Sequence, residues 1–167
     1  EEDVDWSDPL RQAVTAACRQ WDATRRREGA VIAEELRRRN AQVMEYVQQM
    51  LRQSDGLLER YRQRLQERLQ ELGVAVSEEK LHAELLIFAE KANVAEELSR
   101  LESHCQQLSR IVEEPGANGK KLDFLLQEMG REIHTISAKV PDPSLNPVIL
   151  ATKDEIDKMR EQIQNVE

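Results

Sequence analysis

Aromatic residues make up only 4% of this chain, and its 167 residues include just five prolines, six glycines and two cysteines. So few rings argue against a thick globular core. Together with 34% charged residues, they favour long helices with narrow apolar seams. No apolar stretch approaches the roughly 20 residues a membrane-spanning helix needs, and no signal peptide is visible. The expectation is a cytoplasmic protein with no membrane partner. Cys18 and Cys105 share no motif and read as ordinary thiols of a reducing compartment. A G-x-x-x-x-G-K-[ST] loop, a G-x-S-x-G elbow and Cys/His zinc spacing are all missing. So are sustained period-two alternation, internal repeats and low-complexity tracts. The chain opens on Glu1 rather than Met and reads as a piece whose upstream part is missing.

Lysine is absent from residues 10–69, which carry thirteen arginines against eight acids, a net of +5. Residues 1–9 contribute −5 and residues 70–167 contribute −8, so the whole chain stands at −8. That total disfavours a protein that simply coats nucleic acid. The asymmetry within it leaves two readings. One is a solvated helix face laced with i,i+4 ion pairs. The other is an arm of guanidinium groups, whose planar fork suits phosphate better than an ammonium does, holding RNA backbone.

Helices account for the whole pattern. Ser7-Asp8-Pro9 is a helix start, and no proline follows before Leu72. Leu10, Val14, Ala17 and Trp21 form a stripe that Leu36, Val43, Val47, Met50, Leu57, Tyr61, Leu65 and Leu72 continue. Gly29 and Gly56 are the expected bends or breaks, and Leu72-Gly73 is the stop. A second helix opens at Ser77-Glu78-Glu79-Lys80, with Leu81, Leu85, Phe88, Ala92, Ala95, Leu98, Leu101, Cys105, Leu108 and Val112 along its seam. It ends before the linker Pro115-Gly116-Ala117-Asn118-Gly119. A third helix places Leu122, Leu126, Met129, Ile133, Ile136 and Val140 at 4-3-4-3-4 spacing, with Gly130 inside it. Such a glycine costs about 1 kcal/mol relative to Ala and suggests close backbone approach or a bend. Pro141, Pro143 and Pro147 mark a turn, and Ile149, Ile156, Met159, Ile163 and Val166 carry a last helix. The expected fold is all-α: a long antiparallel helical hairpin plus two further C-terminal helices. Within one helical domain, 1–75 is an Arg-rich arm, 76–118 the return helix and linker, and 119–167 the motif-bearing region.

Chemistry-bearing residues fall on two helices. In "AEELSRLESHC", Glu97, Arg100 and His104 share one helix edge beside the apolar seam. Imidazole and carboxylate there suit a divalent metal, and a salt-bridge network suits them equally. The third helix carries two polar rows: Asp123, Gln127, Arg131 and His134, and then Glu128, Glu132, Thr135 and Lys139. Ion pairing along the helix explains them cheaply. A metal-assisted hydrolase, with carboxylates on a cation and arginine on phosphate, explains them too. His82 has no evident partner.

"GKKLDFLLQEMGREIHTISAK" followed by "MREQIQNVE", with "KANVAEELSRLESHCQQL" before them, resembles the C-terminal region of the YicC-like endoribonuclease family over roughly residues 81–167. The positions matching the family pattern are Glu96, Glu97, Arg100 and His104, then Asp123, Gln127, Glu128, Arg131 and Glu132, and finally Arg160, Glu161, Gln162 and Asn165. Gly130 and His134 stand where an Asn is frequent. The resemblance implies a bacterial cytoplasmic enzyme that cleaves RNA internally with a divalent cation, Mn²⁺ or Mg²⁺. It also implies a ring-like homo-oligomer, a hexamer, and an N-terminal domain that this sequence does not contain. On that basis Glu128, Glu132, Arg131 and His104 are the expected catalytic groups, and Glu97, His104, Glu128 and Glu132 the expected metal ligands. Arg100, Arg25, Arg26, Arg27, Arg37, Arg38 and Arg39 are the expected RNA contacts. The rival is a non-catalytic helical oligomerisation or RNA-binding module.

Overall fold

A computed structural model describes residues 7–140 and 142–164. Pro141, Asn165 and Val166, singled out above, lie outside the described residues, as do residues 1–6. The described residues form six helices: α1 (Ser7–Ser54), α2 (Leu57–Glu71), α3 (Glu78–Lys91), α4 (Ala95–Glu113), α5 (Gly119–Lys139) and α6 (Asn146–Gln164). They contain no strand. The all-α hairpin is therefore the fold, with each of its two limbs divided once.

The first limb runs through Gly29 without interruption and breaks only at Asp55-Gly56. Arg60 decides between the two glycines. Its guanidinium donates to the Gln53 carbonyl at 2.7 Å, supplying a partner for the frayed end of α1. It folds so close over Gly56 that a Cβ there would lie 2.8 Å from Nη1. The same side chain reaches Asp142 of the α5–α6 connection at 3.0 Å. Around Gly29 a Cβ meets nothing within 4 Å, so nothing competes with continued helix. At the end of α2, Gly73 takes a left-handed φ of 63°. Its N–H donates to the Gln70 carbonyl, and that of Val74 to the Leu69 carbonyl. This is a Schellman stop at the glycine that the sequence pattern marks.

Packing is antiparallel throughout. Along α1 and α4, Arg37 meets Glu113, Asn40 meets Ser109 and Gln48 meets Glu102. Farther out, Tyr61 of α2 stacks on Phe88 of α3 with ring centroids 3.7 Å apart. Helices α5 and α6 close the arrangement, α5 against α4 and α6, and α6 against α1. The result is a four-helix bundle extended at one end by the α2/α3 tip. A continuous apolar cluster draws on all six helices, with Leu101, Cys105, Leu108, Met129 and Met159 fully buried. Asn40 interrupts the α1 seam at a buried position. Its amide donates to the Cys105 carbonyl at 2.8 Å and the Ser109 hydroxyl at 2.9 Å. Both cysteines are free thiols. Burial pushes the Cys105 thiol up to about 12.

The N-terminal half of α1 departs from the expected seam. No residue from Ser7 to Val31 is buried, and the first buried residue is Leu36. Leu10, Val14, Trp21 and Val31 are each more than half exposed. At 1.5 Å per residue the projecting part is about 40 Å long. Among the described residues no helix is long and apolar enough to cross a membrane.

Candidate active site

The two motif helices of the sequence, α4 and α5, lie side by side and antiparallel, so each step along one is matched by a step back along the other. Lys139 Nζ reaches Glu97 Oε1 at 2.5 Å. One turn on, Arg100 Nη1 lies 3.7 Å from Glu132 Oε1. At the next turn His104 and Glu128 line a single groove of about 430 Å³. The apolar sides of both helices turn into the bundle, which leaves this polar row at the α4/α5 joint.

Electrostatics divide the row. Glu97 is buried, and the Lys139 ammonium holds its carboxyl below the usual range although burial opposes the shift. Its Oε2 is buried without a partner. The side chain of Glu132 is only 12% exposed, while Arg100 beside it is 58% exposed and also pairs with Glu96. Glu128 accepts from Arg131, whose side chain is 70% exposed. The joint therefore presents two guanidinium groups to solvent over inner carboxylates, with an imidazole one turn away. Guanidinium groups so placed can bind a phosphate, and an imidazole can transfer a proton.

The other polar row of α5, apart from Arg131, faces elsewhere. Asp123 accepts from Gln127 at 2.8 Å and lies 3.7 Å from Arg160 of α6. His134 is exposed. The terminal motif thus meets α5 on the side away from α4.

The four residues nominated for a divalent cation do not form a ligand set within one chain. Among the described residues no three His, Cys, Asp or Glu side chains converge closely enough to hold a metal ion. Each of the three carboxylates faces a cation instead: Lys139, Arg131 and Arg100.

The arginines of α1 divide by position. Arg39 is half-buried between Glu35 at 2.6 Å and Glu155 of α6 at 2.7 Å. Arg37 joins Glu113 of α4, and Arg38 joins Glu35. The Arg38 and Arg39 guanidinium groups hold the Glu35 carboxyl at about 2. Arg25, Arg26 and Arg27 lie on the projecting segment, where Arg25 covers the Trp21 ring at 4.7 Å and Arg26 pairs with Asp22. No group in the α4/α5 row belongs to that segment.

Six residues of the groove stand outside the seams and polar rows read from the sequence: Gln107, Ile111, Lys120, Lys121, Phe124 and Leu125. A signal for Phe124 existed, because an aromatic stood two positions off the apolar seam, on the wet side of the helix.

Comparison with known proteins gives a consistent result. The family described as "Endoribonuclease YicC-like, C-terminal" matches residues 50–167. A probable endoribonuclease YicC of Clostridioides difficile (strain 630) is 35% identical over 100% of this chain and 58% of its own length. One from Haemophilus influenzae is 32% identical over 87% of this chain and 50% of its own length. The chain spans about half the length of the curated relatives it matches.

Proposed function

Because the chain belongs to the YicC-like endoribonuclease family, we propose that it is the C-terminal helical part of a bacterial cytoplasmic enzyme that cleaves RNA internally. The observation that supports a cleavage role for this part is the single polar row at the α4/α5 joint, which unites residues from two separated sequence motifs. In this reading Arg100 and Arg131 bind the phosphate to be cleaved, and their charge stabilises the negative charge that builds there. His104 transfers a proton, with Glu128 beside it in the groove. Glu97 and Glu132 hold the two helices in register through Lys139 and Arg100. A divalent cation would need ligands from beyond the four carboxylate and imidazole groups of one chain.

The test is cleavage of a labelled RNA by the full protein carrying Glu128→Gln or His104→Ala, with and without Mn²⁺, alongside sedimentation of each variant. Loss of cleavage with assembly intact supports the reading. Unchanged turnover removes both residues from the active site.

The projecting segment of α1 favours a second, compatible role. Its exposed stripe of Leu10, Val14, Trp21 and Val31 is suited to pairing between copies in a homo-oligomer such as a hexamer. Replacing Leu10 and Val14 by Asp should then lower the sedimentation coefficient, and an unchanged one would dismiss that role.

A further inference from the structure

The groove at the α4/α5 joint continues past His104 and Glu128 to a ring with nothing on it. Phe124 is 64% exposed although it stands in the second turn of a well-packed helix. Tyr61 and Phe88 cover each other and Tyr46 packs on the core, whereas Trp21, 63% exposed on the projecting segment, already has the Arg25 guanidinium over its ring. Beneath Phe124 the groove has an apolar floor of Ile111 and Leu125, both buried. Its rim is polar. Lys120 and Lys121 lie one turn before Phe124 on α5, and His104 and Gln107 face them from α4. Lys121 is held by Glu114 at 3.1 Å, whereas Lys120 makes no ion pair among the described residues and is exposed.

This combination has a specific chemistry. An exposed ring with lysines one helical turn away matches a flat base joined to an anionic phosphate. Single-stranded RNA is held in that way, by base–aromatic stacking and cationic contacts to the backbone. A volume of about 430 Å³ lies within the range of small-ligand pockets and admits one nucleoside. Protein–protein interface cores are depleted in lysine and glutamate, so a ring flanked by Lys120, Lys121 and Glu128 is an unfavourable centre for one.

We infer that the groove is a nucleoside subsite, in which a base of single-stranded RNA stacks on Phe124 while Lys120 holds the adjoining phosphate. It rests on the endoribonuclease reading and deepens it. The subsite lies directly beside His104 and Glu128, so the stacked base would fix which linkage of the strand reaches them. Stacking tolerates every base, and the subsite therefore positions the strand without strong sequence preference.

The experiment measures binding of a short fluorescein-labelled single-stranded oligoribonucleotide to the full chain by anisotropy, in EDTA, with sedimentation and thermal melting of each variant. Phe124→Ala should weaken binding by about five- to a hundred-fold, the range one base–aromatic stack is worth. Phe124→Tyr should retain affinity within about twofold, because the ring persists. Lys120→Ala should lower the slope of log affinity against log salt by about 0.7. Affinity unaltered by Phe124→Ala, in a protein that binds RNA, overturns the subsite alone. Loss of affinity accompanied by dissociation of the assembly also overturns it and makes Phe124 a subunit contact. A wild-type protein that binds no RNA removes the subsite together with the reading beneath it.

Discussion

Lys139 of α5 places its ammonium 2.5 Å from Glu97 of α4, and the carboxylate it meets is 12% exposed while the ammonium is 38% exposed. The pair is thus a buried anion capped by a cation that water can reach. Replacing Lys139 by Met leaves that anion without its partner. Full burial of both groups would make this cost about 3–5 kcal/mol. Water access at the lysine reduces the expected loss to about 1–2 kcal/mol at neutral pH, read as a lower urea midpoint. The pH dependence has a definite sign. Lys139 lowers the folded pKa of Glu97, so the pair's contribution is complete above the usual carboxylate value and disappears as pH falls through the lowered one. Wild type and Lys139→Met should therefore converge in stability on acidification. A gap that stays constant from pH 7 to pH 3 would exclude the pair as its cause.

Arg39 and the Arg25–Arg27 cluster should behave oppositely. Arg39 and Glu155 are 15% and 16% exposed and join α1 to α6. Arg39→Ala leaves Glu155 with Lys158 alone, at 3.6 Å, and should cost about 1–2 kcal/mol in the urea midpoint. The Arg25/Arg26/Arg27→Ala triple variant touches only exposed positions and should change stability by less than about 0.5 kcal/mol. If the arm holds RNA backbone, the same triple should reduce the salt slope of binding by about 2, since each phosphate contact on a single strand contributes about 0.7. A salt slope identical to wild type would rule out these three arginines as RNA contacts.

Asp142 ties the hairpin tip to the bundle. It is 3% exposed, with Arg60 at 3.0 Å, Arg64 at 3.5 Å and the Ser144 N–H at 3.1 Å. Burial pushes its carboxyl up, but the Ser144 N–H and the two arginines outweigh it, and the net shift is downward. Asp142→Ala should cost about 1–2 kcal/mol, because both arginines are partly solvated and lose little on release. Its local signature is amide exchange. Protection should fall in α2 and α3, which make few contacts with the rest, and persist in α4 and α5. A uniform loss over all six helices would mean that the aspartate supports the bundle rather than the tip.

Periodicity along each helix reveals which face is apolar, and that was enough for the all-α hairpin, the Leu72-Gly73 stop, the seams of α5 and α6 and the α4 seam from Leu98 to Leu108, whereas Ala95 is exposed and Ile111 rather than Val112 is buried. What periodicity cannot supply is the identity of the neighbour. Gly29 and Gly56 look equivalent in sequence, and Arg60 together with an aspartate 82 residues away decides which one breaks the helix. The stripe of Leu10, Val14 and Trp21 reads like the stripe after Leu36, yet only the latter meets another helix of the chain. Glu97, Glu128 and Glu132 have carboxylate spacing that fits a metal, and what they face was not visible until α4 and α5 were set side by side. Phe124 stands on the wet face of its helix, which apolar periodicity does not read.

Gly130 resolves differently from either expectation placed on it. A Cβ at that position meets nothing within 4 Å, so no backbone from another helix approaches it among the described residues. Its φ is not positive, and α5 continues through it from Gly119 to Lys139 without interruption. No conformational demand for glycine exists there, while the entropic cost of a glycine in a helix interior remains. Gly130→Ala should accordingly raise stability by about 1 kcal/mol. The check is the urea midpoint measured at low and at high protein concentration. An increase in both would show that the position is open in every state. An increase at low concentration alone would locate a second copy of the chain against this turn of α5. A decrease in both would refute the open environment drawn here.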